Sequence, residues 1–447
     1  MLEALPSRRH EVASFRYFDF RQKESDTPII YATQDDSHQQ GPATHDASTG
    51  FKVGVSGRPE PTLYSATAVP KTQYAIVTPH VQPKLNLQLH EIPVDNPQPG
   101  EVTVKVEWSG LCASDIYFST GRDPVACSRN HIAGHEGIGH IVLSHDPSLV
   151  GRAVGMRFLA HSCGTCCYCL RGVPENCPEQ LCFPTDVNGT YRQFLNVPYK
   201  MLTWLPDWVF AHPTPAIFTA ALCSGSAALK ALKKAALRPG DVVVILGIGG
   251  QIGYLAGLMA KKVFRARVIG VDLAMKGDFP SVAEASDRFI PLDGDDCLAG
   301  QPDLTSPIVS ACTELRGDGL YPRKANAVIA ASNTIASFQN LPSFVCDGGS
   351  IILIGAPSGS IKFDVAEIVV RQLSIQGSLM GNESESYEVM EFIQSGVITP
   401  TITEIDLKDI PKYMSNFVAC QNEGKVVARV NDPSVESWKV ENTSEMN

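Results

Sequence analysis

The most informative residues in this sequence are cysteines in one short stretch, CGTCCYCLRGVPENC. Cys163, Cys166, Cys169 and Cys177 follow the spacing C-x2-C-x2-C-x7-C. Four thiolates at about 2.3 Å from one ion form a closed tetrahedral zinc site, and such closed sites are structural. Cys167 could replace Cys166 in this set, although the even two-residue spacing favours Cys166. The alternative is a group of buried free cysteines, but the spacing predicts zinc.

A second set of possible zinc ligands is spread along the chain. Cys112 begins the segment CASD, His135 and Glu136 lie in GHEGIGH, and Cys223 lies in an apolar segment rich in helix formers. One histidine and two cysteines leave a fourth coordination position open, as catalytic zinc requires. Alone, Cys223 would be interpreted as a core cysteine. Its combination with the cysteine loop is what favours a metal ligand.

A glycine-rich turn indicates a dinucleotide site. In VVVILGIGGQIG, the residues Gly247, Gly249, Gly250 and Gly253 lie between a predicted strand and a predicted helix. Glycines let the backbone approach a pyrophosphate, and the helix N-terminus favours its negative charge. Asp272 follows Gly253 by 19 residues, at the end of the next predicted strand. An acid at this point is expected to bind the ribose hydroxyls of NAD, so the pair of features predicts an NAD site.

Two kinds of sheet must hold these residues. Alternating valines in Glu101–Gly110 predict a strand, and short strands with turn signals continue to about Lys200, which indicates a β-rich domain. From Asp241 onward predicted strands alternate with helices, as is typical of a doubly wound parallel sheet. The strands predicted for that sheet are Val242–Leu246, Arg267–Val271, Ala327–Ala330 and Ser350–Ile354. A late helix is predicted in SESYEVMEFIQSG, with Ser384 near its start and Gly396 past its end.

Length, charge and cysteine content restrict the possible functions. A chain of 447 residues suggests two or three domains. The net charge of −10, without a basic block, argues against nucleic acid or an anionic membrane as a partner. No apolar run approaches the ~20 residues of a membrane span, and the first residues resemble neither a signal nor a transit peptide. With 13 cysteines and no secretion signal, we expect a reducing compartment, the cytoplasm.

From about Pro70 to Asn431 the chain resembles the zinc-dependent medium-chain alcohol dehydrogenases, most closely the fungal-type enzymes. The motifs that carry the resemblance occur in family order: SGLCASD, GHEG, the cysteine loop, NGTYRQF, LCSGSAALKALKKAALRPG, the glycine turn, GSLMGNESES and GKVVARV. The resemblance implies an α/β protein with a GroES-like, β-rich catalytic domain and an inserted Rossmann domain. The implied boundaries are 68–222 for the catalytic domain with its structural-zinc lobe, 223–367 for the NAD-binding Rossmann domain and 368–432 for the return to the catalytic domain. Residues 1–67 have no counterpart in the family and are expected to be a disordered extension, and 433–447 a flexible tail.

The resemblance assigns roles at the predicted catalytic zinc. Cys112, His135 and Cys223 match the ligands in a family that is itself the standard example of a two-cysteine, one-histidine zinc site. Glu136 matches a glutamate that can approach the metal when the open position is vacant. Asp115 matches the carboxylate that orients the ligand histidine.

Further family roles concern the alcohol and the coenzyme. Ser114 matches the hydroxyl that takes the alcohol proton, and Tyr117 occupies the position of a relay histidine. The coenzyme residues are implied on the glycine turn, after the next strand and in the returning segment: Gly247, Gly249, Gly250, Gln251, Ile252, Gly253, Asp272, Lys276 and Arg429.

Three departures from the family pattern affect the coenzyme, the proton relay and the substrate. Ala113 stands where many members carry an arginine or histidine that contacts the pyrophosphate. Tyr117 is a poor base at neutral pH, because an unperturbed phenol has a pKa near ~10. Asp123 stands where fungal-type enzymes have a tryptophan in the substrate pocket, whereas Phe158 keeps an aromatic side chain at a second pocket position.

The predicted function is therefore reversible hydride transfer between a primary or secondary alcohol and NAD, with two zinc ions per chain, one catalytic and one structural. We expect a small-molecule alcohol or aldehyde as substrate and a homo-oligomer, either a dimer or a tetramer. A polyol dehydrogenase or a biosynthetic carbonyl reductase of the same architecture is the alternative. A non-catalytic zinc-binding module is a third reading, disfavoured because every predicted ligand is present.

Overall fold

The computed structural model describes residues 62–121, 132–293, 303–317, 322–357 and 359–431. A compact unit begins at Leu63 rather than at the predicted 68. Its first strand, Tyr64–Ser65 (β1), pairs with Ser144 and Leu143 of the catalytic sheet, which is why these residues belong to that unit. Most of the predicted extension 1–67 and all of the predicted tail 433–447 lie outside the described residues.

The catalytic domain is built on antiparallel strands. Val102, Val104 and Val106 are fully buried on Glu101–Gly110, as the alternation predicts. The strands of this part of the chain are Thr72–Val77 (β2), Gln88–Pro93 (β3), Glu101–Gly110 (β4), Gly137–Ser144 (β5), Ala153–Met156 (β6), Leu159–His161 (β7), Leu181–Cys182 (β8), Phe194–Pro198 (β9) and Thr203–Trp204 (β10). An eight-stranded sheet has the order β10-β6-β5-β4 and continues to two strands from the end of the chain, while β1 pairs with β5 and β9 with β4.

The second sheet has six parallel strands, which confirms the predicted Rossmann domain. Its strands are Val242–Leu246 (β11), Arg267–Leu273 (β12), Arg288–Leu292 (β13), Ala325–Ala330 (β14), Val345–Leu353 (β15) and Ser374–Gly377 (β16). The order is β13-β12-β11-β14-β15-β16, so the strand order reverses beside β11. A ligand crevice is expected at the carboxyl ends of the strands at this switch point. Because β16 completes the sheet, the domain extends beyond the predicted boundary at 367.

The chain then returns to the catalytic sheet through Ile402–Asp406 (β17) and Lys425–Arg429 (β18). β18 runs antiparallel to β4, with Val427 opposite Gly110. This pairing brings the end of the chain against the segment that leads into Cys112. The chain therefore returns to the catalytic sheet, as predicted, and β18 lies beside the segment that carries Cys112.

Helices cover both faces of the parallel sheet and link the domains. The α-helices are Ser114–Thr120, Cys167–Leu170, Trp208–Ala211, Ser226–Ala235, Gln251–Lys262, Pro280–Ala285, Thr305–Arg316, Leu341–Phe344, Val365–Val370, Glu383–Gln394 and Ile410–Val418. The predicted late helix is Glu383–Gln394, and its cap is Asn382, whose side chain forms a capping box with Glu385. Within the described part of the chain, one helical run, Pro215–Ala235, has the length and apolar character of a membrane span, but 89% of its apolar window is buried inside the protein.

Candidate zinc and coenzyme sites

The cysteine loop folds into a compact set of four thiols. The sulfur atoms of Cys163, Cys166, Cys169 and Cys177 all lie within 4.8 Å of one another. The Sγ of Cys163 is 3.5 Å from that of Cys177 and 4.0 Å from that of Cys169. Cys167 is exposed and lies outside the set. An all-sulfur tetrad with no other donor fits a closed structural zinc ion.

Two glycines let this loop wrap around the sulfurs. Gly164 has a φ of +73° and Gly172 a φ of +75°. Both values lie in the left-handed region of backbone conformation, which residues other than glycine rarely adopt. The loop can therefore reverse direction twice within a few residues and present its thiols inward.

The distributed ligands also come together. Cys112 follows β4, His135 and Glu136 immediately precede β5, and Cys223 lies in a π-helical turn, Ala221–Gly225. Their ligand atoms lie within 4.8 Å of one another, and His135 Nε2 is 3.2 Å from Cys223 Sγ. π-helical turns inside helices occur frequently at functional sites. Here the π-helical turn contains Cys223, whose local sequence alone indicates only a buried core cysteine.

Asp115 fixes the orientation of His135. Its Oδ1 lies 3.0 Å from His135 Nδ1 and accepts the backbone N–H of Gly134 at 3.0 Å. Its Oδ2 accepts the hydroxyl of Tyr191 at 2.8 Å. Burial opposes protonation of His135, but the carboxylate outweighs it and raises the pKa of the imidazole. An Nδ1–H held by Asp115 turns Nε2 toward the cysteines, which is the orientation a metal ligand needs.

Glu136 is held by a buried lysine. Lys425 Nζ donates to Glu136 Oε1, to the carbonyl of Leu111 at 3.1 Å and to Gln251 Oε1 at 3.3 Å. Burial raises the pKa of Glu136 to about 7, although Lys425 acts in the opposite direction. Space here is tight, because a Cβ on Gly110 would lie 2.7 Å from Glu136 Cδ.

The donor set fits a zinc ion. Glu136 Oε2 is buried and has no hydrogen-bond partner among the described residues. A buried carboxylate oxygen without a partner is costly unless a cation or donor satisfies it. It lies beside one imidazole nitrogen and two thiols, the ligand types that zinc prefers. The hydrogen bond between the two thiols lowers the pKa of Cys112 and raises that of Cys223, so Cys112 is the thiol that loses its proton more readily.

Several residues surround this cluster on the substrate side. Ser114 Oγ lies 3.6 Å from Cys112 Sγ, at the start of the helix Ser114–Thr120. Phe158 stacks on Phe118 with ring centroids 5.7 Å apart and contacts the His135 ring edge-on at 5.8 Å. Tyr117 lies half-buried on the same helix as Ser114, and Ala113 precedes that helix. Asp123 lies outside the described residues.

The glycine turn joins β11 to the helix Gln251–Lys262. Gly247 has a φ of +88°, and a Cβ on Gly253 would lie only 2.0 Å from the Gly247 carbonyl oxygen. Both positions therefore require glycine. Gly250 and Gln251 open the helix, and the half-buried Ile252 follows.

Asp272 lies at the end of β12 against this turn. Its Oδ2 accepts the backbone N–H of Gly249 at 2.8 Å, and its Oδ1 accepts that of Leu273 at 2.8 Å. Lys276 Nζ is 3.6 Å from Asp272 Oδ2, and both side chains are largely buried. The glycine turn, the acid and the lysine thus form one polar group at the carboxyl edge of the parallel sheet, where dinucleotides bind in this architecture.

Comparisons with known proteins agree with this arrangement. Residues 98–207 match the family model of the alcohol dehydrogenase GroES-like domain, and residues 251–395 match that of the zinc-binding dehydrogenases. Alcohol dehydrogenase 1 of Emericella nidulans is 30% identical over 81% of this chain and 98% of its own length. The chain belongs to the zinc-dependent medium-chain alcohol dehydrogenase family.

Two further proteins resemble the chain along most of its length. An alcohol dehydrogenase of Geobacillus stearothermophilus is 27% identical over 78% of this chain and 97% of its own. The acetophenone reductase of Geotrichum candidum, solved in complex with NAD, has a TM-score of 0.64 at 23% identity, covering 81% of this chain and 98% of that one. The structural comparison supports the fold of the family.

One predicted coenzyme residue is not brought to the turn in this family member. Arg429 is exposed at the far end of β18, where its Nη2 lies 3.1 Å from Glu404 Oε2. Lys425, at the other end of the same strand, is the residue that contacts Gln251. Four residues of a strand span about 13 Å, which separates the two positions. The family motif predicts a coenzyme contact for Arg429, but in the structure Arg429 lies at the end of β18 that is distant from Gln251.

Three residues of the site were missed in the sequence. Lys425 had a usable signal, since it is a lysine within the otherwise apolar GKVVAR segment. Tyr191 lies in the quoted motif NGTYRQF, but nothing local shows that its hydroxyl reaches Asp115. Phe118 carries no polar signal at all. Each becomes a site residue only through contacts between distant segments.

Proposed function

We propose that this protein is an NAD-dependent zinc alcohol dehydrogenase, which interconverts a primary or secondary alcohol and the corresponding aldehyde or ketone. The proposal rests on the group formed by Cys112, His135, Cys223 and Glu136, whose Oε2 has no hydrogen-bond partner in the part of the chain that the structure describes. Three ligands and an approachable fourth position are the arrangement of a catalytic rather than a structural zinc.

Different residues of the site would bind the metal and transfer the proton. Cys112, His135 and Cys223 would hold the ion, and Asp115 keeps the imidazole in the ligating tautomer. Ser114, whose Oγ is 3.6 Å from Cys112 Sγ, would take the alcohol proton. When bound, zinc supplies Lewis acidity toward an alcohol oxygen and NAD supplies the hydride acceptor.

The coenzyme is proposed to bind across the glycine turn. The free N–H groups at the start of the helix Gln251–Lys262 favour a pyrophosphate. Asp272 lies against that turn and would accept the ribose hydroxyls, while its charge repels the additional phosphate of NADP. Lys276 offers a second polar group at the same place. Gln251 Nε2, bonded to the Leu111 carbonyl at 2.9 Å, connects the coenzyme turn with the segment that holds Cys112.

The proposed substrate is larger or more polar than ethanol. Phe158, stacked on Phe118 beside His135, supplies one aromatic wall of the pocket. By resemblance, Asp123 stands where a bulky indole would close the pocket around a short alkyl chain. An apolar alcohol would lose buried contact there, at about 25 cal/mol per Å² of apolar surface. A hydroxylated or bulky alcohol would fill the space.

The experiment that tests the function is a substrate panel followed at 340 nm. Ethanol, longer alkanols, benzylic alcohols and polyols are each offered with NAD, and carbonyl compounds with NADH. The proposal expects turnover, with kcat/KM higher for the bulky or hydroxylated alcohols than for ethanol. A protein that turns over none of them, while containing both metals, would not be an alcohol dehydrogenase.

We also propose a homo-oligomer in the cytoplasm. β16 is an edge strand of the parallel sheet, and the neighbouring helix Val365–Val370 exposes three valines, Val365, Val369 and Val370. Unpaired strand edges and exposed apolar patches favour association with another chain. The eleven described cysteines are all free, which suits a reducing compartment. Light scattering coupled to gel filtration measures the assembly.

A further inference from the structure

A polar cavity of about 310 Å³ lies beside the catalytic domain, apart from the residues assigned to zinc and coenzyme. Its walls come from Arg157 and residues 159–162, from Pro174 in the zinc lobe, from Lys200 and from the start of the helix Glu383–Gln394. The site described above uses none of the cavity's side chains. Its lining therefore requires a separate explanation.

Arg157 is the most unusual side chain of this cavity. It is only 9% exposed, and its Nε donates to Thr203 Oγ1 at 3.0 Å. Its two terminal nitrogens have neither a hydrogen bond nor an ion pair with any residue in the described ranges. Burial lowers the pKa of the guanidinium. The terminal nitrogens are not among the fully buried polar atoms without a partner, so a bound anion can reach them and offset the cost of burying the rest of the cation.

The start of the helix Glu383–Gln394 supplies further donors. The Asn382 side chain satisfies the backbone N–H of Glu385, and the Glu385 side chain accepts the N–H of Asn382. The N–H groups of Glu383 and Ser384 have no carbonyl partner within the helix, because they belong to its first turn. Both residues line the cavity. The positive end of the helix dipole favours an anion at this position.

The charges of the lining are positive on balance. Lys200 is exposed at the rim and has no ion pair with a described residue, and His161 lies beside it. Glu383 is the acid of the lining, and its charge favours the protonated form of Arg157. However, none of its oxygens lies within the 4.0 Å of an ion pair with Arg157. Glu385, in the same first turn, also acts on Arg157, but its carboxylate accepts the N–H of Asn382 and lies 3.6 Å from Lys233 Nζ. The lining itself therefore presents two cations and one carboxylate, which leaves room and charge for one oxyanion.

We propose that this cavity is a second small-molecule site, which binds the oxyanion group of a metabolite, a phosphate or a carboxylate. The guanidinium of Arg157 would grip two oxygens with its free nitrogens, as arginine does with such planar or tetrahedral groups. Phe158, the neighbour of Arg157, contacts His135 of the zinc cluster. An occupant of the cavity thus stiffens the segment that forms one wall of the substrate pocket.

The test measures binding to the zinc-loaded enzyme saturated with NAD, so that the coenzyme's own phosphate site is filled. Inorganic phosphate and malonate are titrated by calorimetry at constant ionic strength, with chloride as the reference salt. The proposal expects saturable binding, and the tighter of the two ligands identifies the class of oxyanion. Arg157→Met should raise the dissociation constant at least about tenfold. Lys200→Met should raise it severalfold, whereas Arg288→Gln, a surface arginine paired with Glu314, should leave it unchanged.

A stability measurement separates binding from a structural role. Without added oxyanion, Arg157→Met should melt at the same temperature as wild type or higher, because it removes a largely buried charge that has no ion pair among the described residues. Added phosphate or malonate should then raise the melting temperature of wild type but not of Arg157→Met. No saturable binding of either ligand, equal affinity in wild type and both cavity variants, or a destabilised Arg157→Met that fails to fold would each overturn the proposal. The test does not depend on alcohol turnover, so it can fail independently of the proposed function.

Discussion

Replacing Lys425 with methionine tests whether the buried ion pair holds Glu136 beside the zinc ligands. Lys425 is 1% exposed, and its Nζ donates to three oxygens, of which the Glu136 carboxylate carries the charge. Methionine keeps the length of the stem but strands the carboxylate without a counter-charge. Breaking a buried pair in this way costs about 3–5 kcal/mol of unfolding free energy. Burial raises the pKa of Glu136 to about 7 even with Lys425 lowering it. Loss of Lys425 should raise this pKa further, so partial protonation relieves part of the cost at pH 8, and we expect about 3 kcal/mol.

Urea unfolding of the zinc-loaded enzyme at pH 8, followed by tryptophan fluorescence, measures this loss. Glu136→Gln in the Lys425→Met background removes the stranded charge and should recover at least about half of the stability. Lys262→Met, which removes an exposed partner of Glu284, is the matched control and should change stability little. A Lys425→Met enzyme within about 1 kcal/mol of wild type, or a double variant no more stable than the single, would refute the reasoning.

Three further predictions concern zinc, coenzyme and proton transfer. Metal analysis should find two zinc ions per chain in wild type. Cys166→Ala should lose one zinc ion and melt at a lower temperature, while the adjacent Cys167→Ala should keep both. A loss of zinc from Cys167→Ala would show that Cys167 is the ligand instead. Asp272→Ala should lower the ratio of kcat/KM for NAD to kcat/KM for NADP by roughly tenfold to a hundredfold, because a charged hydrogen bond contributes ~1.5–3 kcal/mol. An unchanged ratio would exclude a role for Asp272 in coenzyme selectivity. Ser114→Ala should lower kcat by roughly a hundredfold or more with both zinc ions retained, and Tyr117→Phe should lower it less; equal kcat of Ser114→Ala and wild type across pH 6–9 would exclude the proton role.

Features encoded over short distances could be predicted from the sequence. The cysteine loop and the glycine turn each lie within a few residues, so spacing alone predicts their geometry. The parallel strands were predicted because continuous apolar runs alternate with helical segments. Val242–Leu246 was predicted with its observed ends, and β15 begins at Val345 rather than at Ser350.

The rest depends on contacts that local patterns do not encode. Lys425 reaches Glu136 across 289 positions of sequence, only because β18 adds to β4. The same pairing turns Arg429 away, although the motif favoured it. Cys223 looks like a core cysteine until the π-helical turn directs it toward His135. β16 extends the Rossmann domain because it pairs with β15. No residue near position 367 indicates this pairing in the sequence.

The most direct test of the central claim is the initial rate of NADH formation at 340 nm in wild type and in Cys112→Ala, measured with the best alcohol of the panel. Cys112 belongs to the predicted catalytic set and to no part of the cysteine loop, so its loss should leave the structural zinc and the fold intact. We predict turnover in wild type and none above background in Cys112→Ala, with one zinc ion remaining. A Cys112→Ala enzyme that oxidises the alcohol at the wild-type rate would contradict a catalytic zinc at this site.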